Sequence, residues 1–307
     1  MSVADESEPW AQALRRATGL LAEAGVDSPR VDAELLLAHV LGLGRGELLA
    51  RVFAGAAGTA GEAERFAALV ARRARREPVQ HLTGVAFFHG LDLAVGPGVF
   101  LPRPETELLV DAVLAELTAR PAAATVVDLC TGSGAIAAAV AAWAQEHGRD
   151  VAVTAMELDD EAAGWARRNL EPRGVHLRQG DALVALPELE GRVDVVVSNP
   201  PYVPEAETPV QAEARLDPAR ALYGVDAAGM RIPVGIAARA AALLVPGGLF
   251  AMEHHETQGP ALIEALGADG AFEDVRVHPD LTGRDRFLTA RRSAGPSGPQ
   301  KMEEWPT

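Results

Sequence analysis

Four consecutive residues, Asn199-Pro200-Pro201-Tyr202, combine types that together can hold a planar nitrogen. The two prolines fix φ and remove two backbone donors. Asn199, standing before a proline, is pushed out of the helical region toward an extended conformation. A stiff turn results, with two outward acceptors: the Asn199 side-chain oxygen and the Pro200 carbonyl. A planar NH₂ group carries two donors that fit these acceptors, which leaves the face of its nitrogen toward an electrophile such as a methyl sulfonium. Tyr202 can stack on the same planar group. The lone pair of an amide or aromatic amine is delocalised, so such a nitrogen is a poor nucleophile. Hydrogen bonds from both N–H groups to fixed acceptors draw electron density onto nitrogen and hold the line of attack, an arrangement that can supply several kcal/mol. Asn199, Pro200 and Tyr202 are therefore the candidate catalytic residues, and together with Pro201 they form the candidate substrate seat. Neither a Ser/His/Asp arrangement nor a cysteine–histidine couple is needed for this chemistry.

The seat follows Asp194-Val195-Val196-Val197-Ser198, which reads as a strand, and that strand is one of a series. Strands are predicted over Thr125 to Leu129, Val151 to Met156, Val175 to Arg178, Val193 to Val197, Gly248 to Glu253, Phe272 to His278 and Arg286 to Ala290, with helices between most of them. Alternating elements with β-branched strand runs imply an α/β fold built on a mainly parallel, doubly wound sheet.

The ends of the earlier strands carry ligand signals. Val126-Val127-Asp128-Leu129-Cys130-Thr131-Gly132-Ser133-Gly134 is an apolar strand entering a glycine-containing turn before an alanine-rich helix. Its glycines allow a tight turn and close approach of backbone to a ligand. Gly134 is followed by Ala135-Ile136-Ala137, a spacing unlike the dinucleotide G-x-G-x-x-G pattern, which lowers the case for nicotinamide or flavin. Glu157, at the end of the second strand, can accept bonds from both hydroxyls of a ribose, while Asp159 or Asp160 suits helix capping better. Gly180-Asp181 ends the third unit, where an acid or its neighbouring amide could contact adenine, although Gly-Asp is also a common turn. Signals at successive strand ends converge on one crevice and favour an adenosine-containing cofactor. The cofactor candidates are Asp128, Cys130, Thr131, Gly132, Ser133, Gly134, Glu157, Asp181, Ala182 and Asn199.

Residues up to about 76 read as all-helical. Ser7 is the expected cap of a first helix with Pro9 in its first turn, and Trp10, Ala13, Leu14, Ala17 and Leu21 share one apolar face. Asp27-Ser28-Pro29 starts a second helix closed by Gly42, and further helices fit Glu47 to Phe53 and Glu62 to Arg76. The domains expected are a helical one over 1–84 and an α/β one over 85–292, the latter opening with a connecting hairpin over 85–100. A helix opened by Arg103-Pro104-Glu105-Thr106-Glu107 follows, and 293–307 reads as a disordered tail. Arg72, Arg73, Arg75 and Arg76 read as a solvated basic face at a helix end, with contact to a protein or RNA partner as the functional alternative. His81 and His89 could be packing or lining residues. Adjacent His254 and His255, placed on a strand, would point to opposite faces, which argues against a shared metal ion.

The formal net charge is −15, which weighs against a nucleic-acid substrate because phosphate binding uses a basic face. One cysteine, Cys130, excludes an intrachain disulfide framework and fits a reducing compartment. The N-terminus lacks an apolar secretory core, and no apolar run has the length to span a bilayer, so a cytoplasmic location is expected.

The chain resembles the HemK/PrmC family, the glutamine methyltransferases of peptide chain release factors. The likeness lies in the helical N-terminal region, Glu77 to Gly84, Leu101-Pro102-Arg103-Pro104-Glu105-Thr106-Glu107, Asp128 to Ile136, Val197 to Val203, and Asp280-Leu281-Thr282-Gly283-Arg284-Asp285-Arg286. The resemblance implies a Rossmann-like seven-stranded methyltransferase sheet with a small helical substrate-recognition domain. It implies S-adenosylmethionine as cofactor, bound by Thr131 to Gly134, Glu157, Asp181 and Asn199. It implies that Asn199 and Pro200 bind the glutamine amide of a release factor's Gly-Gly-Gln loop, with Tyr202 beside it. Membrane and sequence-specific nucleic-acid partners are not expected. Two positions depart from the family pattern: Ala182 stands where an aromatic residue is usual, and Glu253-His254-His255-Glu256 where a Glu-Ile-Gly-like strand end is usual. The alternatives that the seat alone leaves open are a nucleic-acid amino methyltransferase acting on adenine or guanine, a methyltransferase of a ribosomal-protein glutamine, and an adaptor that has lost cofactor binding.

Overall fold

The computed structural model describes residues 8–120, 123–207, 213–268 and 270–295, in two compact units. The first holds the residues up to Ala86, the stretch Ala94–Pro97 and residues 213–217; the second holds the remainder. The cap expected at Ser7 and the tail from 296 onward lie outside the described residues.

The first unit contains helices α1 (Trp10–Glu23), α2 (Pro29–Leu41), α3 (Arg45–Phe53), α4 (Ala60–Ala74) and α5 (Val79–Thr83). Trp10, Ala13, Leu14, Ala17 and Leu21 of α1 are all buried and pack with Leu36, Leu37, Leu48, Phe66 and Val70 in one core. Pro9 stands just before α1 rather than in its first turn. Gly42 ends α2 in the left-handed conformation, at φ 65°. A capping box opens α4: the Thr59 hydroxyl accepts from the Glu62 amide, and the Glu62 carboxylate accepts from the Thr59 amide at 2.8 Å. The short helix α5 ends at Thr83, beside the expected end of the helical domain at residue 84.

The arginine run is not a free solvated face. Arg73 is buried and donates to Asp32 and Glu213, both at 2.7 Å; Arg76 pairs with Glu213 at 2.7 Å and Arg72 with Glu77. Burial alone would push the Glu213 carboxyl up, but hydrogen bonds from Arg76 and Arg73 bring it down to about 2. The reason is tertiary: Asp32 is 41 residues from Arg73 and Glu213 is 137 from Arg76, so no local pattern pairs them.

A hairpin of β1 (Val85–Phe88) and β2 (Leu91–Ala94) is followed by α6 (Thr106–Ala119), which starts just after Pro104 and Glu105. The second unit continues with β3 (Ala124–Leu129), α7 (Ala135–Glu146), β4 (Val151–Glu157), α8 (Asp160–Leu170), β5 (His176–Gln179) and β6 (Val193–Ser198). It ends with α9 (Ala219–Leu222), α10 (Arg231–Leu243), β7 (Leu244–Glu253), α11 (Gly259–Ala268), β8 (Phe272–Pro279) and β9 (Asp285–Arg292). All seven predicted strands are present in one sheet, ordered β5-β4-β3-β6-β7-β9-β8. The strands β3 to β7 pair in parallel, and β9 runs antiparallel to both β7 and β8. This is an α/β Rossmann-like sheet.

Both faces of the sheet are covered, and the alternation of strand side chains shows it. Val126, Val153, Val195 and Ala251 join one core with residues of α6, α7 and α8. Their neighbours Val127, Val196, Phe250 and Met252 join a second core with α10 and α11. Burial on both faces explains why these strands are continuously apolar. The chain winds from β3 out to β5 and then returns to β6 on the other side of β3. A crevice therefore opens at the carboxyl ends of β3 and β6, where the winding reverses. Among the described residues, no helix is long and apolar enough to cross a membrane.

Candidate functional site

A cavity of about 500 Å³ lies in that crevice, a size usual for small-molecule sites. The sequence-derived candidates Cys130, Thr131, Gly132, Ser133, Glu157, Asp181, Ala182 and Asn199 to Tyr202 all line it. Asp128 and Gly134 do not line it and stand behind the wall.

Asp128 is fully buried. Its Oδ2 accepts from the Thr131 hydroxyl at 2.6 Å and the Ala137 amide at 3.2 Å, tying the loop to the first turn of α7. Burial pushes its carboxyl up to about 7, against those two bonds. Gly134 has φ 84°, and a Cβ there would meet Leu170 of α8 at 2.9 Å, so this glycine serves helix packing. Gly132, at φ 57°, has open space where its Cβ would be. The Ser133 carbonyl accepts from the buried Asn169 side chain at 2.8 Å. Cys130 holds φ 62°, and burial pushes its thiol well above the ordinary range, so it lines the cavity without being a nucleophile.

Glu157 is more committed than its strand-end position suggests. Oε1 accepts from the Leu158 and Asp159 amides at 2.9 and 2.8 Å, and Oε2 from the Gly132 amide at 2.8 Å. A carboxylate offers about four acceptor positions, so room for one further bond remains rather than the two expected for a ribose. Burial holds this carboxyl above its ordinary value, with the Asp159 charge adding to it. Asp159 caps α8 through the Glu161 and Ala162 amides, as its position predicts. Asp181 accepts from the Leu183 amide at 2.9 Å, and Ala182 leaves an apolar slot shared with Leu183 and Ile236. These walls fit an adenosyl sulfonium: an open glycine backbone, an apolar slot, and carboxylates at the rim that suit both hydroxyls and a cation.

Asn199 to Tyr202 follows β6 directly and lines the same cavity. The Asn199 Nδ2 donates to Thr106 Oγ1 at 3.4 Å. Among the described residues, neither the Asn199 Oδ1 nor the Pro200 carbonyl accepts a hydrogen bond. The turn is fastened by the Tyr202 and Val203 amides, which donate to the Leu222 carbonyl at 3.1 and 2.8 Å. Gln258 donates to the Tyr202 carbonyl at 2.9 Å and to the Ala228 carbonyl at 2.8 Å. Gly229, at φ 67°, packs so close to the Tyr202 carbonyl that a Cβ would overlap it.

Tyr202 lines the cavity, and its hydroxyl donates to Glu253 Oε1 at 2.8 Å. Burial, then the Glu253 charge, pushes the phenol far above its ordinary value. Glu253 is itself buried, and its Oε2 accepts from Thr106 Oγ1 at 2.7 Å. Burial raises the Glu253 carboxyl, against the bonds from Thr106 and Tyr202 and the nearby charge of Arg286. Arg286 is held by Asp280 Oδ2 at 3.2 Å, and its charge works against the rise of the Tyr202 phenol.

Residue-by-residue reading of the sequence did not single out Thr106, Glu253, Gln258 or Arg286 as site residues. Three of them carried a signal: Thr106 and Arg286 lie in stretches that resemble the family, and Glu253 opens the stretch where a Glu-Ile-Gly-like strand end is usual. Glu253 ends β7, and His254 and His255 lie beyond it, so the expectation that the two histidines share a strand is corrected. The buried His254 bonds through Nδ1 with the His255 carbonyl at 2.8 Å, and His255 stands 3.2 Å from Glu207. His89 pairs with Asp111 at 3.0 Å, and neither it nor His81 lines the cavity.

Comparison with known proteins gives matches along most of the chain. Residues 12–84 match the PrmC N-terminal domain, and residues 90–221 the methyltransferase small domain. A release factor glutamine methyltransferase of Streptomyces coelicolor is 48% identical over 290 residues, covering 91% of this chain and 97% of that protein. One from Mycolicibacterium smegmatis is 46% identical over 284 residues, covering 92% and 97%. Among solved structures, a methyltransferase from Pyrococcus furiosus matches at a TM-score of 0.47 and 22% identity, over 66% of this chain and 90% of that one.

Proposed function

This chain belongs to the release factor glutamine methyltransferase family, and on that premise we propose that it methylates the side-chain nitrogen of a glutamine in a peptide chain release factor. The target is the glutamine of the Gly-Gly-Gln loop, the donor is S-adenosylmethionine, and the reaction takes place in the cytoplasm. One observation carries this reading: two unengaged acceptors, Asn199 Oδ1 and the Pro200 carbonyl, sit on a rigid turn in the wall of a cavity sized for a cofactor.

S-adenosylmethionine supplies an electrophilic methyl group when bound. The Cys130 to Ser133 loop, Glu157, Asp181 and Ala182 would hold it. The substrate work falls to the turn after β6. Asn199 Oδ1 and the Pro200 carbonyl accept the two amide protons of the glutamine, directing the face of its nitrogen along the line of attack; one of these protons leaves to water as the nitrogen becomes secondary. Holding both protons on fixed acceptors in a largely apolar cavity strengthens the polarisation of the amide, because the acceptors need no reorganisation during transfer. Tyr202 closes one side of the seat with its ring. The match of residues 12–84 to the PrmC N-terminal domain supports giving the helical unit the task of recognising the protein substrate.

Incubating the purified chain with methyl-labelled donor and a release factor, then mapping the label, tests the reading. Label on the Gly-Gly-Gln glutamine is the expected result. Label absent from that residue, or found instead on naked DNA or RNA, overturns it.

A further inference from the structure

The acid at the end of β7 touches neither the cofactor loop nor the Asn199 side chain, yet it stands at the centre of the site's polar network. Glu253 accepts from Thr106 Oγ1 at 2.7 Å on one oxygen and from the Tyr202 hydroxyl at 2.8 Å on the other. Thr106 in turn receives the Asn199 Nδ2 at 3.4 Å. From this chain of partners we infer that Glu253 is a positioning residue: through Thr106 it decides which end of the Asn199 amide faces the substrate. The inference deepens the reading above and rests on it for the identity of the substrate.

Hydrogen-bond polarity sets the direction. Glu253 accepts on both of its oxygens, and a hydroxyl has a single proton to donate. Thr106 spends its proton on Glu253, so toward Asn199 it can only accept. Asn199 must therefore turn its NH₂ end to Thr106, which sends Oδ1, the acceptor, to the cavity side. That is the end a glutamine N–H requires. Without this constraint the two ends of an asparagine amide are nearly equal in shape, and a site needing an acceptor would be presented with a donor in part of the population.

The other arm of the network fixes what a substitution would do. Arg286, anchored on Asp280, can only donate, and its positive charge acts on the Tyr202 hydroxyl. The Tyr202 proton therefore remains directed at residue 253. In Glu253→Gln, the new amide must offer its oxygen to Tyr202 and its NH₂ to Thr106. Thr106 then accepts from Gln, which frees its proton for Asn199 and removes the constraint that held the Asn199 oxygen toward the cavity. The Thr106 arm of the network is inverted by replacing one oxygen with nitrogen, at nearly constant volume, while the Tyr202 arm keeps its direction.

Two measurements on the full chain test this. The sequence holds two asparagines, Asn169 and Asn199, so asparagine labelled with ¹⁵N gives two side-chain NH₂ pairs. In E253Q the Asn199 pair is expected to exchange with water about tenfold faster or more, because it faces the cavity, while the Asn169 pair on the Ser133 carbonyl is unchanged. In turnover with a release factor, E253Q is expected to lower kcat by about 30- to 100-fold with cofactor affinity unchanged. T106V, which removes the relay and its bond to Glu253 while keeping the acid itself, should lose as much, and T106S should restore kcat to within about threefold. The double variant E253Q/T106V should be no worse than either alone, since both break one relay. Unchanged Asn199 exchange in both E253Q and T106V, or losses that add in the double variant, overturns the inference. A wild-type chain that does not methylate release factors, but whose Asn199 signals still respond to E253Q, overturns the substrate reading and leaves the relay standing.

Discussion

The loop after β3 and the turn after β6 line the same cavity, but different kinds of bond hold them. Cys130 to Gly134 is fastened largely by its own neighbourhood. Asp128 bonds Thr131 three residues on and Ala137 nine residues on, and the loop's left-handed positions are taken by Cys130, Gly132 and Gly134. The turn from Asn199 to Tyr202 takes its stiffness from two prolines but its side-chain orientation from afar. Thr106 is 93 residues from Asn199, Glu253 is 51 from Tyr202, and Gln258 is 56 from Tyr202. A site that must present open backbone to a cofactor can be built locally. A site that must present an acceptor, and not a donor, at one point needs partners of fixed polarity on several elements.

Separating the two loops by mutation gives the sharpest test of that contrast. Asn199→Ala should lower kcat by about 10³-fold, comparable to losing a preorganised polar group aimed at the reacting centre. Calorimetry should find its cofactor affinity nearly unchanged, and equal loss of both would erase the distinction between the loops. Asp128→Asn probes the local side. Its folded-state carboxyl is raised to about 7 from an unfolded value near 4, so the folded state binds the proton more tightly. Its contribution is thus fully present below about pH 4 and is lost as pH rises toward 7, by about 1.4 kcal/mol per unit at most. Denaturant titrations from pH 4 to 7 should show that slope in the wild type and a flatter one in Asp128→Asn.

A smaller effect is expected from Gly134→Ala. A side chain at φ 84° that also meets Leu170 should cost about 2–3 kcal/mol of stability. Thermal unfolding reads this directly, and kcat at saturating cofactor should stay within about twofold of wild type because the seat is untouched. The smallest change is predicted for Gln258→Ala, which frees the Tyr202 carbonyl: about a tenfold loss in kcat, or 1–1.5 kcal/mol, with little change in cofactor affinity. If Gln258→Ala weakened cofactor binding more than turnover, the two loops would not be as separate as their bonds suggest.

The strands of the sheet were legible in advance because their signals are local. Val126-Val127 and Val195-Val196-Val197 are apolar on both faces, and the two cores take alternate residues of each. The first core-facing stripe of α1 and the left-handed stop at Gly42 follow from spacing and from glycine's freedom at positive φ. Less was legible where partners are distant. The arginines 72 to 76 read as a solvated face, yet Asp32 and Glu213 neutralise Arg73. Glu157 read as a free ribose acceptor, yet three backbone amides already use it.

By itself the sequence determined the chemistry that Asn199-Pro200-Pro201-Tyr202 is suited to, because a proline-locked turn depends on adjacent residues. It also determined the strand series that brings this turn to the carboxyl edge of the sheet. What only the tertiary structure decided is the direction of the polar groups in that turn. Hydrogen-bond polarity is a property of closed networks, and this one closes across α6, β6, β7 and β9, through Thr106, Asn199, Tyr202, Glu253 and Arg286.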